Sequence, residues 1–404
     1  MKRQRTFEKQ KYGKFNQKPK FNYSKKSSDF RRKPSKTKKL DISSFINKIV
    51  VDRVPEKAFV SENSFRDFEL NFALLKSIES KRYTQPTPIQ DKIIPSIIQG
   101  KDVVGLANTG TGKTAAFLIP LIEKVLQNSK EQVLIITPTR ELATQIEKEL
   151  QGITGKMRIF SVLCVGGEYI GAQIKKLRYK NDFIIGTPGR LIDLAKRGNL
   201  KLKKVRTVVL DEADRMLDMG FINDIQLIMG YVSEERQTLC FSATMSKKIG
   251  LLIGDFLKNP KTISVKTTET PKNIEQDVIK ANNSNKVDIL HNLLKNNEFK
   301  KVLIFGRTKR GVENLSRILT KRGIKVDSIH GDKSQRQRNR ALMNFKNNRV
   351  QTLVATDVAA RGLHVNDITH VINYEIPGSY DDYVHRIGRT GRGTQLGKAL
   401  TFID

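Results

Sequence analysis

The sequence is poor in cysteine and lacks any long apolar run. Its two cysteines, Cys164 and Cys240, lie in separate apolar stretches and show neither metal-site spacing nor a disulfide framework. We therefore expect buried structural thiols in a reducing compartment. No stretch of roughly 18 apolar residues is present, and no apolar signal core follows the basic N-terminus. These absences predict a soluble, cytoplasmic protein with no membrane association.

Acidic residues are also scarce relative to basic ones. The chain of 404 residues contains 41 Asp and Glu against 74 Lys and Arg, which gives a formal net charge of +33 and a pI near 10.1. An excess of this size indicates a polyanionic partner, either nucleic acid or an anionic membrane surface. A generally lysine-rich composition without a specific partner is the alternative.

The first forty residues differ in composition from the rest. Residues 1–40 hold 16 Lys or Arg, only two acids and six aromatics spaced among the charges. Such a segment buries too little apolar surface to offset its ordering entropy, so we expect a disordered basic tail. Cations interleaved with aromatics suit single-stranded nucleic acid; a solvating tail, a protein partner or anionic lipid are the alternatives. Residues 41–60 are a short connecting segment of mixed apolar and polar residues, and their pattern does not indicate a role.

Short apolar runs alternate with helical stretches from about residue 61 onwards. Continuous apolar strands separated by helices indicate parallel sheets with both faces covered, which is an α/β fold. A proline-containing stretch without periodicity at 266–273 predicts a linker between two domains at 61–265 and 274–404. The predicted strands lie within 102–107, 133–139, 182–188, 207–214, 238–244, 302–308, 326–331, 352–362, 371–377 and 399–404.

A glycine-rich turn follows the first of these strands and precedes an apolar helix. In this turn, Thr109, Gly110, Thr111 and Gly112 would present backbone N–H groups to phosphate, and Lys113 would reach the β- and γ-phosphates. The next hydroxyl, that of Thr114, is expected to hold Mg²⁺. Ala107 replaces the first glycine of the general phosphate-loop pattern. A chance Gly-Lys-Thr turn is the alternative, which the strand–loop–helix context disfavours.

Three acids close the strand that begins at residue 207. Asp211 is placed to bind Mg²⁺ directly or through water, and the adjacent Glu212 to orient and deprotonate the attacking water. Helix capping explains one carboxylate here but not the third, Asp214. Together with the glycine-rich loop, the acids predict hydrolysis of a nucleoside triphosphate with Mg²⁺ as cofactor.

The sequence resembles the DEAD-box RNA helicases from about residue 65 to its C-terminus. A single short motif can occur by chance, so the resemblance rests on the complete set in its order along the chain. The resemblance implies two tandem RecA-like domains. The further motifs are PTPIQ (86–90), PTREL (138–142), GG (166–167), TPGR (187–190), SAT (242–244), QRQR (335–338), TDVAARG (356–362) and HRIGRTGR (385–392).

The resemblance assigns roles in the ATP site. Gln90 would read the adenine edge while Phe65 packs against the ring, which predicts ATP over GTP; a surface glutamine and a core phenylalanine are the alternatives. Gly362 and His364 would lie at the ribose. His364 stands where most members carry an aspartate, so the ribose contact is expected to be sensitive to pH.

A second set of residues would join the two domains during hydrolysis. Arg389 and Arg392, about one helical turn apart, are the implied arginine fingers. A basic surface patch is the alternative, but it leaves the embedded glycines unexplained. His385 would connect across the cleft to the remaining coupling residues, which are Asp214, Ser242 and Thr244.

The resemblance also implies an RNA track across both domains. The set contains no evident base-reading residues, so we expect low sequence specificity, and contacts to the 2′-OH would favour RNA over DNA. Single-stranded and duplex RNA are the expected partners of a monomer, with ribosomal or RNA-decay assemblies as candidates. The residues are Thr139, Arg140, Gly167, Thr187 and Arg190 in the first domain and Arg307, Gln335, Arg338 and Thr356 in the second.

The expected activity is local unwinding of short duplexes by a cleft that closes on ATP and RNA. A nucleotide-switched RNA clamp and a DNA helicase are the alternatives, and the full hydrolytic set disfavours the clamp. Two further departures from the family pattern are Arg82, which replaces a glycine, and the end of the chain at Asp404. The ending indicates either a trimmed second domain or a fragment.

Overall fold

The computed structural model describes most of the two predicted domains. The described residues are 45–46, 61–107, 110–155, 157–265, 273–282, 284–360, 365, 367–391 and 395–403. The predicted tail, almost all of the connecting segment and residues 266–272 of the predicted linker lie outside them. Four predicted site residues also lie outside: Thr109, Gly362, His364 and Arg392.

A seven-stranded parallel sheet forms the first half of the described chain, with the order β3-β4-β2-β5-β6-β1-β7. Its strands are β1 (Val103–Leu106), β2 (Val133–Ile136), β3 (Ser161–Cys164), β4 (Phe183–Gly186), β5 (Thr207–Leu210), β6 (Gln237–Ser242) and β7 (Lys261–Ser264). Its helices are α1 (Phe72–Ser80), α2 (Pro88–Ile98), α3 (Lys113–Gln127), α4 (Arg140–Thr154), α5 (Ile170–Leu177), α6 (Pro188–Lys196), α7 (Ala213–Asp218), α8 (Ile222–Tyr231) and α9 (Lys247–Phe256), with 3₁₀ turns at Phe65–Phe68 and Leu202–Lys204.

A six-stranded parallel sheet forms the second half, with the order β10-β11-β9-β12-β13-β8. Its strands are β8 (Ile274–Lys280), β9 (Val302–Gly306), β10 (Val326–Ile329), β11 (Thr352–Thr356), β12 (His370–Asn373) and β13 (Gly397–Ile403). Its helices are α10 (Lys286–Lys295), α11 (Lys309–Lys321), α12 (Gln335–Lys346), α13 (Asp357–Ala360) and α14 (Tyr380–Ile387).

The central strands are buried on both faces because helices cover both sides of each sheet. In β2, Val133 and Ile135 belong to one apolar cluster, whereas Leu134 and Ile136 belong to the cluster on the opposite face. The same alternation divides β9 between two clusters in the second domain. The predicted α/β fold with two parallel-sheet domains is therefore confirmed.

Three strands were missing from the sequence-based prediction, and all three are edge strands. β3 and β7 close the two edges of the first sheet, and β8 closes one edge of the second. An edge strand lacks a neighbour on one side, so it needs no continuous apolar run. In β7 only Ile263 is buried, and β8 mixes polar and apolar residues without a regular alternation (IEQDVIK). β3 (SVLC) does contain an apolar run, so its edge position does not explain why it was missed.

The two cysteines are free and buried, as predicted. Burial raises the pKa of each thiol to about 12, so neither behaves as a reactive thiolate. Within the described ranges, the chain contains no helix with the length and apolar character needed to cross a membrane.

Candidate ATP site and RNA track

The phosphate loop lies between the carboxyl end of β1 and the first turn of α3. Gly110 and Gly112 have φ angles of +86° and +89°, a region that disfavours side chains. A Cβ at Gly112 would lie 2.6 Å from Gln90 Nε2, so only glycine fits here. Lys113 begins α3, is almost fully buried, and donates from Nζ to the Ala107 carbonyl at 2.7 Å. In the described part of the loop, the two glycines therefore take the left-handed backbone that lets consecutive N–H groups converge on an anion.

Gln90 joins the loop to the start of α2. Its Oε1 accepts from the Thr87 backbone N–H at 3.0 Å, and its Nε2 donates to the Gly112 carbonyl at 3.1 Å. The Thr87 hydroxyl donates to the Thr111 carbonyl at 2.9 Å. Gln90 is thus buried against the phosphate loop. An adenine base hydrogen-bonded to Gln90 would compete with its bond to the Gly112 carbonyl of that loop.

Phe65 lies in the core of the first domain. Its ring is 4% exposed and contacts Phe68 and Tyr83, with centroid separations of 6.1 and 6.5 Å. In the described structure its role is packing of the segment ahead of α1, and contact with an adenine ring stays a prediction.

The acids predicted at the end of β5 lie beside the phosphate loop. Burial raises the pKa of Asp211 to about 7, with the Lys113 ammonium opposing the shift and Glu212 adding to it. One oxygen of Asp211 accepts from the Glu212 backbone N–H at 2.9 Å. Carboxylate and hydroxyl oxygens are the donors that Mg²⁺ prefers, so Asp211 and Thr114 have the right chemistry for this ion.

Glu212 is held in an unusual conformation by Arg215. Its φ is +52°, and its side chain accepts from Arg215 Nη1 at 3.0 Å in a buried ion pair. Backbone strain of this kind is found at functional sites, where surrounding contacts fix the residue. Arg215 was not singled out from the sequence, although its spacing of three residues from Glu212 is a signal that could have found the pair.

Asp214 links the acids to the segment after β6. Its Oδ2 accepts from the backbone N–H groups of Ala243 and Thr244 at 2.9 and 3.0 Å and lies 3.4 Å from the Thr244 hydroxyl. The Ser242 hydroxyl donates to the Thr244 carbonyl at 2.7 Å. The three predicted coupling residues of the first domain therefore form one connected unit.

His385 and Arg389 of the second domain reach this unit. Both line a small cavity together with Arg215. Burial lowers the pKa of His385 to about 4, and the nearby Arg215 lowers it further while Asp214 opposes the shift. Among the hydrogen bonds of the described residues, none joins His385 directly to residues 242–244. Asp214 connects them, because it acts electrostatically on His385 and accepts hydrogen bonds from Ala243 and Thr244.

Arg389 does not continue the helix that carries His385. α14 ends at Ile387, and Arg389 lies in the turn that follows, with its Nε donating to the His385 carbonyl at 3.3 Å. Arg389 therefore lies outside a helix, and its spacing to Arg392, which is outside the described residues, stays a prediction. Gly388, the C-cap residue, ends the helix before Arg389 is reached.

The helix that carries His385 is fixed to the second sheet by Arg386. This side chain is 2% exposed and donates from Nε and Nη2 to the two Asp357 oxygens at 2.6 and 2.8 Å. Its Nη1 donates to Asn373 and to the Glu375 carbonyl. Both Arg386 and Asp357 occur in quoted motifs, but their pairing depends on tertiary structure.

The predicted RNA residues of the first domain form one cluster. A Cβ at Gly167 would lie 2.1 Å from Arg140 Nη1, so the arginine packs directly on this glycine. Arg190 donates to Gln173 at 2.9 Å on the same side. Thr139 and Thr187 are the N-cap residues of α4 and α6. All five are consistent with a backbone-binding surface at the carboxyl ends of the strands.

The predicted RNA residues of the second domain lie on two structural elements. Arg307 and Thr356 follow or end the neighbouring strands β9 and β11. Gln335 and Arg338 lie in the first turn of α12 and are both buried. The backbone N–H of Arg307 donates to the Glu375 carboxylate.

Glu141 of the first domain binds two of these residues. Arg338 Nη2 lies 2.8 Å from Glu141 Oε2, and Gln335 Nε2 donates to Glu141 Oε1 at 3.1 Å. Only 10% of the Arg338 side chain and 4% of the Glu141 side chain are exposed. This ion pair joins the two halves of the predicted RNA track, a role that sequence reasoning missed although Glu141 lies in a quoted motif.

Arg82 occupies a helix C-terminus that favours glycine. Its φ is +60°, its N–H donates to the Glu79 carbonyl at 2.9 Å, and the Tyr83 N–H donates to the Ile78 carbonyl at 3.3 Å. These two bonds form a Schellman motif with Arg82 at the left-handed position. The departure from the family glycine therefore introduces local backbone strain.

Two parallel-sheet domains, with a phosphate loop and buried acids on one and a basic helix end on the other, define a RecA-like nucleoside triphosphatase. The DEAD/DEAH box helicase family model matches residues 87–252, and the helicase conserved C-terminal domain model matches residues 285–394. The chain belongs to the DEAD-box ATP-dependent RNA helicase family. The resemblance found in the sequence is thereby confirmed.

Bacterial relatives match most of the chain. The DEAD-box ATP-dependent RNA helicase CshA of Geobacillus kaustophilus is 47% identical over 342 residues, which cover 84% of this chain and 73% of that protein. CshA of Bacillus subtilis is 46% identical over 342 residues, covering 84% of this chain and 69% of that protein.

Solved structures of similar fold contain both domains. Mss116p bound to single-stranded RNA and AMP-PNP has a TM-score of 0.76 and 32% identity, covering 84% of this chain and 73% of that chain. Dbp5 of S. cerevisiae, bound to RNA and ADP BeF3, has a TM-score of 0.74 and 29% identity, covering 84% of this chain and 89% of that chain.

Proposed function

We propose that this protein hydrolyses ATP in response to single-stranded RNA and uses domain closure to unwind short duplexes and remodel RNA–protein complexes. One observation carries the proposal: His385 and Arg389 of the second domain line one cavity with Arg215 of the first. Arg215 also holds Glu212, the proposed general base. His385 and Arg389 can therefore influence Glu212, through Arg215, only when the two domains are in contact.

Each residue of the ATP site has a proposed task. Lys113 leaves the Ala107 carbonyl to bind the β- and γ-phosphates, while Thr114 and Asp211 would hold Mg²⁺. The ion would supply positive charge that offsets the charge of the phosphates. Glu212, held by Arg215, accepts a proton from the attacking water, and Arg389 stabilises charge on the transferred phosphoryl group.

RNA binding is proposed to favour closure because the track crosses the domain boundary. The cluster around Arg140 lies in the first domain, and Arg338 lies in the second. Burial lowers the pKa of Arg140, the nearby Arg338 lowers it further, and Glu141 opposes the shift. Arg140, Arg190 and Arg338 thus place positive charge on both sides of the boundary, where a phosphate backbone would bind. The RNA-bound relatives of similar two-domain structure support this arrangement.

ATP hydrolysis should be measured without nucleic acid and with single-stranded RNA or DNA of equal length. We expect strong stimulation by RNA and little by DNA, because contacts to the 2′-OH distinguish them. Equal stimulation by DNA would overturn the preference for RNA, and absence of stimulation by either would overturn the proposal.

Two substitutions test the assignment of the ATP site. Lys113→Ala and Glu212→Gln should abolish turnover while RNA binding is partly retained. Glu235→Gln is the matched control, since Glu235 is exposed on the first domain. Retained turnover in either site variant would show that the site is misassigned.

A further inference from the structure

One aromatic side chain from the segment ahead of the first domain is buried in the second domain. Phe45 is 1% exposed and belongs to an apolar cluster with Ile274, Tyr383, Ile387 and Ala399. Its ring centroid lies 4.6 Å from that of Tyr383, with an interplanar angle of 57°. A full aromatic side chain is therefore removed from water at a site formed by β8, β13 and α14.

This contact is not a consequence of chain connectivity. The chain passes from Phe45 into the first domain, whose described part begins at residue 61. The residues that pack around Phe45 instead belong to the second domain, from residue 274 onwards. None of the helicase motifs includes Phe45. The contact thus joins the segment preceding the first domain to the second domain.

The helix that Phe45 contacts carries His385 and ends two residues before Arg389. Tyr383 and Ile387 are four residues apart and share one face of α14. His385 is two residues, or about 200°, from Tyr383 around the helix, so it lies on nearly the opposite face. Phe45 consequently packs on the face of α14 opposite to His385. His385 and Arg389 line the cavity with Arg215.

Among the described residues, Phe45 is the one aromatic group outside α14 in the apolar cluster on this side of the helix, where Ile274 and Ala399 also pack. Arg386 fixes the helix to Asp357 on another side. On the Phe45 side, the Tyr383 hydroxyl donates to Gln276 Oε1 at 2.9 Å, and the ring packs against Phe45. Without Phe45, Tyr383 would keep its ring contact with Tyr380, at a centroid separation of 5.9 Å, but a gap would open on the Phe45 side of α14, toward which the helix could shift.

We propose that Phe45 is a positioning residue that holds α14, and hence Arg389, in place for phosphoryl transfer. It touches neither substrate nor the reacting atoms and acts through Tyr383 and Ile387. The effect on turnover rests on the proposed function, whereas the docking of Phe45 does not. The two parts can therefore be tested separately in the full-length chain.

Docking is tested with a single fluorescent probe. The sequence contains no tryptophan, so Phe45→Trp introduces a unique reporter, and Phe72→Trp provides an exposed control at a position that is 69% exposed. We expect blue-shifted emission and protection from acrylamide at position 45 relative to position 72. Equal accessibility of the two probes would overturn the proposal, whatever the activity of the protein.

Positioning is tested by turnover. Phe45→Ala should lower the RNA-stimulated kcat by about 10-fold and leave the KM for ATP unchanged, since displacement of a catalytic group by 1 Å costs up to about 10²-fold. Phe45→Leu, which keeps most of the apolar volume, should restore most of the loss, and Phe72→Ala should behave as wild type. A wild-type kcat for Phe45→Ala, or a loss that appears only in KM, would overturn the positioning role. If the wild-type protein itself lacks RNA-stimulated turnover, the proposed function fails and the fluorescence result still decides docking.

Discussion

Replacement of Glu141 by glutamine tests whether the buried ion pair between the domains stabilises the closed state. The substitution keeps the shape of the side chain and removes its charge. Gln335 can still donate to the amide oxygen, but Arg338 no longer has a carboxylate partner at 2.8 Å. The perturbation therefore acts on one interaction across the domain boundary.

The expected magnitude follows from the burial of the pair. With 10% and 4% of the two side chains exposed, the guanidinium group stays desolvated in the closed state without a counter-charge. Removing one partner of a buried pair costs about 3–5 kcal/mol. The lower end, about 3 kcal/mol, corresponds to about a 10²-fold shift against closure.

RNA-stimulated ATP hydrolysis is the assay. For Glu141→Gln we expect kcat/KM for RNA to fall by about 10²-fold, while hydrolysis without RNA changes little. Glu147→Gln on the same helix is the control, because its described contact is with Ser161 of the first domain. A charge-swapped double variant, Glu141→Arg with Arg338→Glu, should recover part of the loss.

A normal response to RNA in Glu141→Gln would show that the ion pair between Glu141 and Arg338 does not stabilise the closed state. The same conclusion would follow if the charge-swapped variant were no better than Arg338→Glu alone. In that case Arg338 contributes through RNA contact only, and the ion pair does not stabilise closure.

Three further predictions concern stability and RNA affinity. Arg82→Gly should raise the free energy of unfolding by about 0.5–1 kcal/mol, because it relieves a left-handed backbone, whereas Lys81→Gly, at φ −80°, should lower it; a decrease in both variants would contradict the strain. Burial holds the pKa of His370 at about 4 instead of 6.5, so the unfolded chain binds the extra proton between these pH values. Stability should therefore fall as the pH drops through this window, by at most about 1.4 kcal/mol per pH unit, and His370→Gln should flatten the profile; parallel urea-unfolding profiles would contradict this. Deletion of residues 1–40 should reduce the salt dependence of RNA binding by about 0.7 in log–log slope for each phosphate that the segment neutralises, and an unchanged slope would show that the segment does not bind the RNA backbone.

The sequence predicts those parts of the fold that are dictated locally. β2 and β9 are recognisable because burial on both faces requires uninterrupted apolar residues. β7 and β8 are edge strands with mixed polarity, so their place in the sheets is set by pairing with distant strands.

The same distinction applies to the site. The phosphate loop is predicted in detail because its glycines, lysine and hydroxyl are consecutive. The partners that hold the site in place were not predicted: Arg215 on Glu212, Asp357 on Arg386, and Phe45 on Tyr383. The last two contacts depend on tertiary structure, whereas Arg215 and Glu212 are only three residues apart in the sequence.

The most direct test of the account is the RNA-stimulated kcat of Arg389→Ala at saturating ATP and RNA. We predict a fall of about 10³-fold or more, the range known for arginine fingers, with ATP binding to the first domain retained. A kcat close to that of the wild-type protein would contradict the claim that the second domain completes the ATP site.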